Sequence, residues 1–350
     1  MPVAGAGDEL LLLPTPKRVE RLGGEVDVAP GGGVTYLGVD EWVAEPVLAS
    51  VGLPSRRVTQ QPSMKLIVET PLDLPTGGGG GVRDQRYSLA VMPAVTPGGP
   101  VVRIASPSIT GARLGLWTFA QLVKRFGTKV PAMMIEDEPA FATRGVMLDV
   151  SRCRVPTMEE LLRQVDLLSS LKINHLQLYT EHTFAYADHA DVWEGWSPIT
   201  AEEVRVLDAY CRSRGIELAA NQNCFGHLTR WLELPRYRHL AETHGDWMFD
   251  VWPRKGAWSL CPTDPKSVEF VRRVAGGAFA ELLVPAGEHR VRRGVRHRVW
   301  AERGCGEGAR QSGGVRGVCE QGVRGGAGAW EAAAVLGGHA DESTRSCGWG

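Results

Sequence analysis

From Phe141 onward the sequence repeats one order, strand then loop then helix, and that order restricts the fold more than any other feature of the chain. Residues 145–150, 173–179 and 216–220 are short apolar runs bounded by polar or glycine residues, as buried strands are. Between them lie segments of helical periodicity. In the first, Thr157 stands three residues before Glu160, the spacing of a capping box, and Met158, Leu161, Leu162, Val165 and Leu168 fall on one face. In the second, Thr200 and Glu203 repeat that spacing, Val204, Leu207 and Cys211 form the apolar face, and Gly215 ends it. Alternating strands and helices imply a parallel sheet with crossover helices. Such repeats suit an eight-fold barrel or an open doubly wound sheet, and periodicity alone does not separate the two.

Upstream, residues 64–69, 87–92 and 101–104 are short β-like runs among Pro/Gly turns, and one helical segment, 112–126, closes the stretch. That is an α+β module. The five glycines at 77–81 lack the Lys-Ser/Thr and the following helix of a phosphate cradle, so a hairpin loop is expected there. A formal net charge of −1 without a Lys/Arg run excludes a nucleic-acid or anionic-membrane footprint. No stretch approaches the ~20 apolar residues of a membrane helix, and the first residues lack a signal-peptide pattern. Seven cysteines without a Cys-x-x-Cys pair offer neither a zinc site nor a compact disulfide framework, which leaves the cytoplasm as the expected compartment.

In a βα barrel the chemistry gathers where strands end, which draws attention to Arg144, residues 179–186 and residues 221–227. Asn221, Gln222, Asn223 and His227 can hold sugar hydroxyls, which donate and accept at once; as the plainer alternative, they cap loop backbone. Trp193, Trp196, Trp231 and Trp258 are candidate stacking platforms, though tryptophans also pack cores. His175, His182, His189 and His227 lack the His-Glu-x-x-His spacing of a helical metal site, so no metal is expected.

Four blocks occur in the order seen in family-20 glycoside hydrolases: Thr143-Arg144-Gly145-Val146-Met147-Leu148-Asp149, Leu176-Gln177-Leu178-Tyr179-Thr180-Glu181-His182, Phe225-Gly226-His227 and Leu260-Cys261-Pro262-Thr263-Asp264-Pro265. The chain resembles that β-N-acetylhexosaminidase family over roughly residues 10–284, and residues 114–122 are similar to the helix that closes the family's preceding domain. The resemblance implies an α/β fold, a (β/α)8 TIM barrel that is incomplete here, preceded by a smaller α+β domain. Expected boundaries are 1–138 for the first domain, 139–285 for the barrel portion and 286–350 for an aberrant tail. It implies a glycan with terminal N-acetylhexosamine as substrate and no cofactor, with the oligomeric state left open. It assigns Arg144 to the sugar hydroxyls and His227 to the network around the acid; Glu181 and His182 replace the family's more usual acidic strand-end pattern, and with Asn221, Asn223 and Trp258, read from their residue types, they are the further candidate substrate contacts. The implied mechanism is retaining and substrate-assisted, with the acetamido oxygen attacking C1. An aspartate orients that group and a glutamate acts as acid and then base, in a Gly-x-Asp-Glu pattern on the fourth barrel strand.

No such pattern follows Leu283. Beyond Pro285 the chain has no Ile, Lys, Asn, Phe, Tyr, Met or Pro, and it keeps Trp300, Trp330, Trp349, Cys305, Cys319 and Cys347 amid Gly and Arg. Disordered tails are poor in Trp and Cys, so translation in the wrong frame of a GC-rich gene fits better. Reading one nucleotide later through the codons for residues 288–298 permits Asn-Thr-Gly-Cys-Asp-Glu-Val-Cys-Asp-Thr-Gly, which contains the pair. Asp341-Glu342 lacks the preceding glycine and strand, and reads as a decoy. Two rivals stand beside the hydrolase: a non-catalytic carbohydrate-binding remnant, and a different barrel glycosidase with two protein carboxylates.

Overall fold

A computed structural model describes residues 10–29, 32–58, 65–70 and 84–283. The five-glycine run, the boundary at 285 and the tail with its shifted-frame reading lie outside the described residues. The chain divides into two compact units: one holds the described residues up to Val146 with Glu159–His175 and Ala209–Glu217, the other Met147–Met158, Leu176–Asp208 and the described residues from Leu218.

The first unit is built on a mixed seven-stranded sheet. Its strands are β1 (Arg18–Asp27), β2 (Val34–Leu37), β3 (Ser55–Arg57), β4 (Leu66–Glu69), β5 (Tyr87–Val91), β6 (Val102–Ala105) and β7 (Lys129–Asp137), in spatial order β1-β7-β5-β6-β4-β2-β3. Strands β2, β3, β4, β6 and β7 run in one direction, while β5, inserted between β6 and β7, and the edge strand β1 run in the other. Two helices lie among these strands in the sequence, where the sequence pattern led us to expect one: α1 (Glu41–Ala49) and α2 (Ile109–Phe126). Pro46 inside α1 reads as a breaker, yet Val43, Ala44, Val47 and Leu48 recur at helical spacing and are all buried.

Helix α2 starts where Ser108 Oγ accepts from the Gly111 N–H at 3.0 Å. It is buried along most of its length, with Leu116, Phe119 and Leu122 fully enclosed. A Cβ at Gly115 would lie 2.6 Å from Ile104 Cγ2, so this glycine permits the close approach of helix to sheet.

The βα grammar is realised within a residue or two of expectation: β8 (Gly145–Asp149), α3 (Met158–Ser170), β9 (His175–Thr180), α4 (Ala190–Trp193), α5 (Ala201–Ser213), β10 (Glu217–Gln222) and α6 (Thr229–Leu232). A hairpin of β11 (Asp246–Phe249) and β12 (Trp252–Lys255) and the helix α7 (Pro265–Leu283) follow. Thr200 N–H donates to Glu203 Oε2 at 2.8 Å and Glu203 N–H to Thr200 Oγ1 at 3.2 Å, the reciprocal bonds of the expected capping box. Strands β8, β9 and β10 form one sheet in the order β10-β9-β8. Asn174 N–H bonds Arg144 O before the β8–β9 pair and Val150 N–H bonds Tyr179 O at its end, so the two strands run parallel; Glu217 to Asn174 and Asn223 to Thr180 do the same for β10.

Helix α3 ends in a Schellman turn, with Ile173 N–H on Leu168 O and Lys172 N–H on Ser169 O. The left-handed position, usually glycine, is Lys172 at φ 61°. Its ammonium is buried in the first unit and donates to Thr118 Oγ1 at 2.8 Å and Tyr87 Oη at 2.9 Å, with Asp137 Oδ2 at 3.5 Å. Those bonds offset the roughly 1–2 kcal/mol cost of the backbone conformation. Among the described residues no helix is long and apolar enough to cross a membrane.

Candidate active site at the strand ends

Side chains alternate along a strand, so Met147, Gln177 and Asn221 share one face with Asp149, Tyr179 and Asn223 one step further along β8, β9 and β10. The lower tier is joined by Asn221 Nδ2, which donates to Gln177 Oε1 at 3.0 Å and lies 3.2 Å from Met147 Sδ. In the upper tier Asn223 Nδ2 donates to Tyr179 Oη, and Tyr179 Oη donates to Glu181 Oε1 at 2.9 Å. Polar side chains thus accumulate toward the carboxyl ends of the strands.

Above these tiers stands Arg152, three residues past the end of β8. One nitrogen pairs with Asp149; Nη2 lies 3.0 Å from Glu181 Oε1, 3.2 Å from His227 Nδ1 and 3.3 Å from Tyr179 Oη. Burial works against its charge, but the hydrogen bond to Asp149 and the Glu181 carboxylate outweigh that, so its pKa is raised and the guanidinium stays charged. Burial, then the hydrogen bond to Glu181, pushes the Tyr179 phenol up and keeps it a neutral donor. Glu181 is fixed through its backbone: its N–H donates to Ser151 Oγ at 2.7 Å, and its carbonyl accepts from Trp231 Nε1 at 2.8 Å and Gln222 Nε2 at 3.2 Å.

His227 has φ 53°. Its ring lies 4.5 Å from that of Trp258, and Leu228 N–H bonds Trp258 O at 3.0 Å. A Cβ at Gly226 would meet Trp258 Cζ3 at 3.1 Å, so glycine lets the indole close on this turn. The same Nδ1 lies 3.6 Å from Glu181 Oε1, so the imidazole sits between the guanidinium and the carboxylate. Carboxylate acceptors and charged or imidazole donors therefore alternate over a few ångströms, the complement of a ring of hydroxyls.

The structure brings Glu181, Asn223, His227 and Trp258 together as the sequence pattern led us to expect. It does not bring Arg144 there. That residue precedes β8, and a five-residue strand rises about 16 Å from start to end. Its Nε donates to Lys172 O at 2.7 Å and Nη1 to Phe141 O at 2.6 Å, while its backbone N–H bonds Asn174 Oδ1; burial lowers its pKa. Asn221 sits one tier below the strand ends. His182 is buried against Trp196, with ring centroids 5.1 Å apart, and burial followed by the Arg230 charge pushes its pKa down to about 4. Trp231 is fully buried and packs among Tyr186, His189, Tyr237 and Phe270, a core role. Tyr179 opens the stretch 179–186 that the sequence singles out; Asp149 and Arg152 were missed as site residues, although the rule that favours residues after a strand points to Arg152 over Arg144. Gly38-Val39-Asp40-Glu41 matches the letters of the family's acid motif, but it begins α1 in the first unit, where Asp40 pairs with Arg57 at 3.2 Å.

Residues 141–282 match the profile of the glycosyl hydrolase family 20 catalytic domain. The β-hexosaminidase subunit beta of Mus musculus is 31% identical over 160 residues, which are 42% of this chain and 28% of that protein. Among solved structures, a Flavobacterium johnsoniae chitobiase superposes with TM-score 0.61 at 21% identity, over 77% of this chain and 43% of that one. Streptomyces plicatus N-acetyl-β-hexosaminidase, solved with Thio-NAglucal, gives TM-score 0.57 at 21% identity, over 77% and 56%. The chain thus spans about a quarter of the mouse protein and about half of the two solved structures. Their fold is the one expected here, an α+β domain followed by a TIM barrel, incomplete in this chain. Over residues 141–282, which carry the constellation around Arg152, the chain is similar to the catalytic domain of glycosyl hydrolase family 20.

Proposed function

We propose that this chain carries the sugar grip of a hydrolase that removes terminal N-acetylhexosamine residues from glycans by the retaining, substrate-assisted route. The observation that carries this reading is Arg152 held between Asp149, Glu181 and His227 at the carboxyl ends of parallel strands. Asp149 and Glu181 accept from neighbouring hydroxyls, while the Arg152 fork donates to two oxygens at once, as a Lys point charge cannot. Trp258 offers an indole face to the ring. Arg152 takes the role that the resemblance gave to Arg144, whose Nε and Nη1 donate to backbone carbonyls. Residues 1–138 serve as an accessory α+β domain, and the catalytic domain starts near 139.

The chemical step needs the aspartate that holds the acetamido oxygen against C1 and the glutamate that protonates the leaving oxygen. The shifted frame through codons 288–298 supplies both, and the frame as written supplies neither, so the 350-residue chain is catalytically silent. Should the written frame be the cellular one, the same grip makes the chain a non-catalytic carbohydrate-binding protein. An assay on an aryl N-acetyl-β-glucosaminide separates these. The frame-restored enzyme turns over at least about 10²–10⁴-fold faster than the chain as written, the range for losing general acid help. In the restored enzyme Arg152→Ala lowers kcat/KM about 10²-fold, on the order of 3 kcal/mol, whereas Arg144→Ala moves the melting temperature more than kcat/KM. Turnover by the chain as written, well above a buffer blank, refutes the missing-acid reading. Silence from the restored enzyme refutes the hydrolase.

A further inference from the structure

The hairpin β11–β12 pairs Phe249 with Trp252, Met248 with Pro253 and Trp247 with Arg254. Directly opposed residues of an antiparallel pair point to the same face, so Trp247, Phe249 and Trp252 share one side and Met248 takes the other. On the shared side Trp247 and Phe249 lie 6.0 and 5.9 Å from the ring of Trp258, which itself rests on His227. Trp252 extends that row outward and is 64% exposed. The hairpin is tied at its base, with Gly256 N–H on Gly245 O at 2.6 Å and Trp247 Nε1 on Gly256 O at 3.0 Å, so the indole is presented on a fixed support.

We infer that Trp252 is the stacking platform for the sugar next to the terminal N-acetylhexosamine in a neutral oligosaccharide. This rests on the sugar-grip reading above and extends it to a second subsite. A pyranose presents a flat C–H face of about the size of an indole, and the row from His227 through Trp258 and Phe249 leads from the grip to Trp252 on one side of the hairpin. A protein partner fits less well, because the apolar side chains of the hairpin are divided between its two faces, and a stable protein interface needs about 800 Å² from each partner.

Saturation-transfer NMR on the full 350-residue chain, with N-acetylglucosamine and its β-1,4-linked trimer as probes, tests this at low protein concentration. The trimer is expected to bind about tenfold more tightly than the monosaccharide, the size of one good aromatic contact. Trp252→Ala removes that margin and leaves monosaccharide binding unchanged; Trp252→Phe keeps most of it. A Trp252→Ala chain that retains the margin overturns the subsite while leaving the grip intact. Binding of neither sugar by the unaltered chain overturns the grip and the subsite with it. Concentration-dependent dimerisation abolished by Trp252→Ala assigns the indole to a second copy and overturns the proposal.

Discussion

Two sheets of this chain are written in similar apolar residues and are treated very differently by their surroundings. In the first unit β5 buries Tyr87, Leu89 and Val91, β6 buries Val102 and Ile104, and α2 is enclosed along most of its length. In the second sheet β8 leaves Gly145, Val146 and Met147 exposed, although parallel barrel strands are ordinarily covered on both faces. The centre of the first sheet carries its own cover in the described residues, whereas its edge strands β1 and β3 are largely exposed. Strand β8 is an edge whose sequence asks for burial that those residues do not provide, and we propose that its partner is the last strand of a closed barrel.

The largest effect on stability is expected where cover is complete. Phe119 on α2 is fully buried, so Phe119→Ala removes a whole ring from a closed core and costs about 3–5 kcal/mol, measurable by urea unfolding. A loss below ~1 kcal/mol would mean that the first unit is no better packed than the second sheet and would erase the contrast.

A smaller loss is expected at Lys172, where a polar group is buried with its partners. Lys172→Met removes the donors to Tyr87 and Thr118 and the charge beside Asp137, for about 2 kcal/mol, as for hydrogen bonds to a charged group. The loss depends on pH. Burial pushes the Lys172 pKa down to about 8 from 10.5, the Arg144 charge adds to this, and Asp137 opposes it. Between those values the unfolded chain holds the proton and the folded chain does not, so this group's contribution to stability rises with pH there and is flat below. The difference between the unaltered chain and Lys172→Met should therefore widen from pH 7.5 to pH 10. A difference that narrows over that range would show that the ion pair with Asp137 governs the site.

The same contrast explains what could be read in the sequence. Strands 145–150, 173–179 and 216–220 announced themselves as continuous apolar runs, the pattern of parallel strands that a complete sheet covers on both faces, and Thr200 with Glu203 marked a helix start by local chemistry alone. Strand β1 could not be read, because nearly every residue of it is exposed and it is held by its ladder with β7, which is interrupted between Arg21 and Glu25. Helix α1 was hidden by Pro46. At the site, Glu181, Asn223 and His227 were visible as polar residues at strand ends, where packing gives no reason for them. Adjacency to a strand does not say which end a residue occupies, and Arg144 stands at the start of β8, whereas Arg152 is one of many loop arginines until Asp149 and Glu181 are seen on either side of it.

The smallest effect should be at Met147, on the uncovered strand. The residue is 48% exposed and its sulfur meets only the amide of Asn221 among the hydrogen-bonding groups described, so Met147→Thr in the chain as written should change stability by no more than about 0.5 kcal/mol, as for ordinary surface positions. Its neighbours on the same face, Gln177 and Asn221, belong to the tier that faces the inside of a closed barrel. Once the frame is restored and the barrel closes, the same side chain becomes part of a packed layer, and trading a thioether for a smaller hydroxyl should then cost about 2 kcal/mol or more. Urea unfolding of Met147→Thr in both backgrounds measures the difference directly. Equal small losses in the two would mean that β8 stays uncovered whatever follows Leu283, and the contrast between the two sheets would be a property of this fold rather than of a missing partner strand.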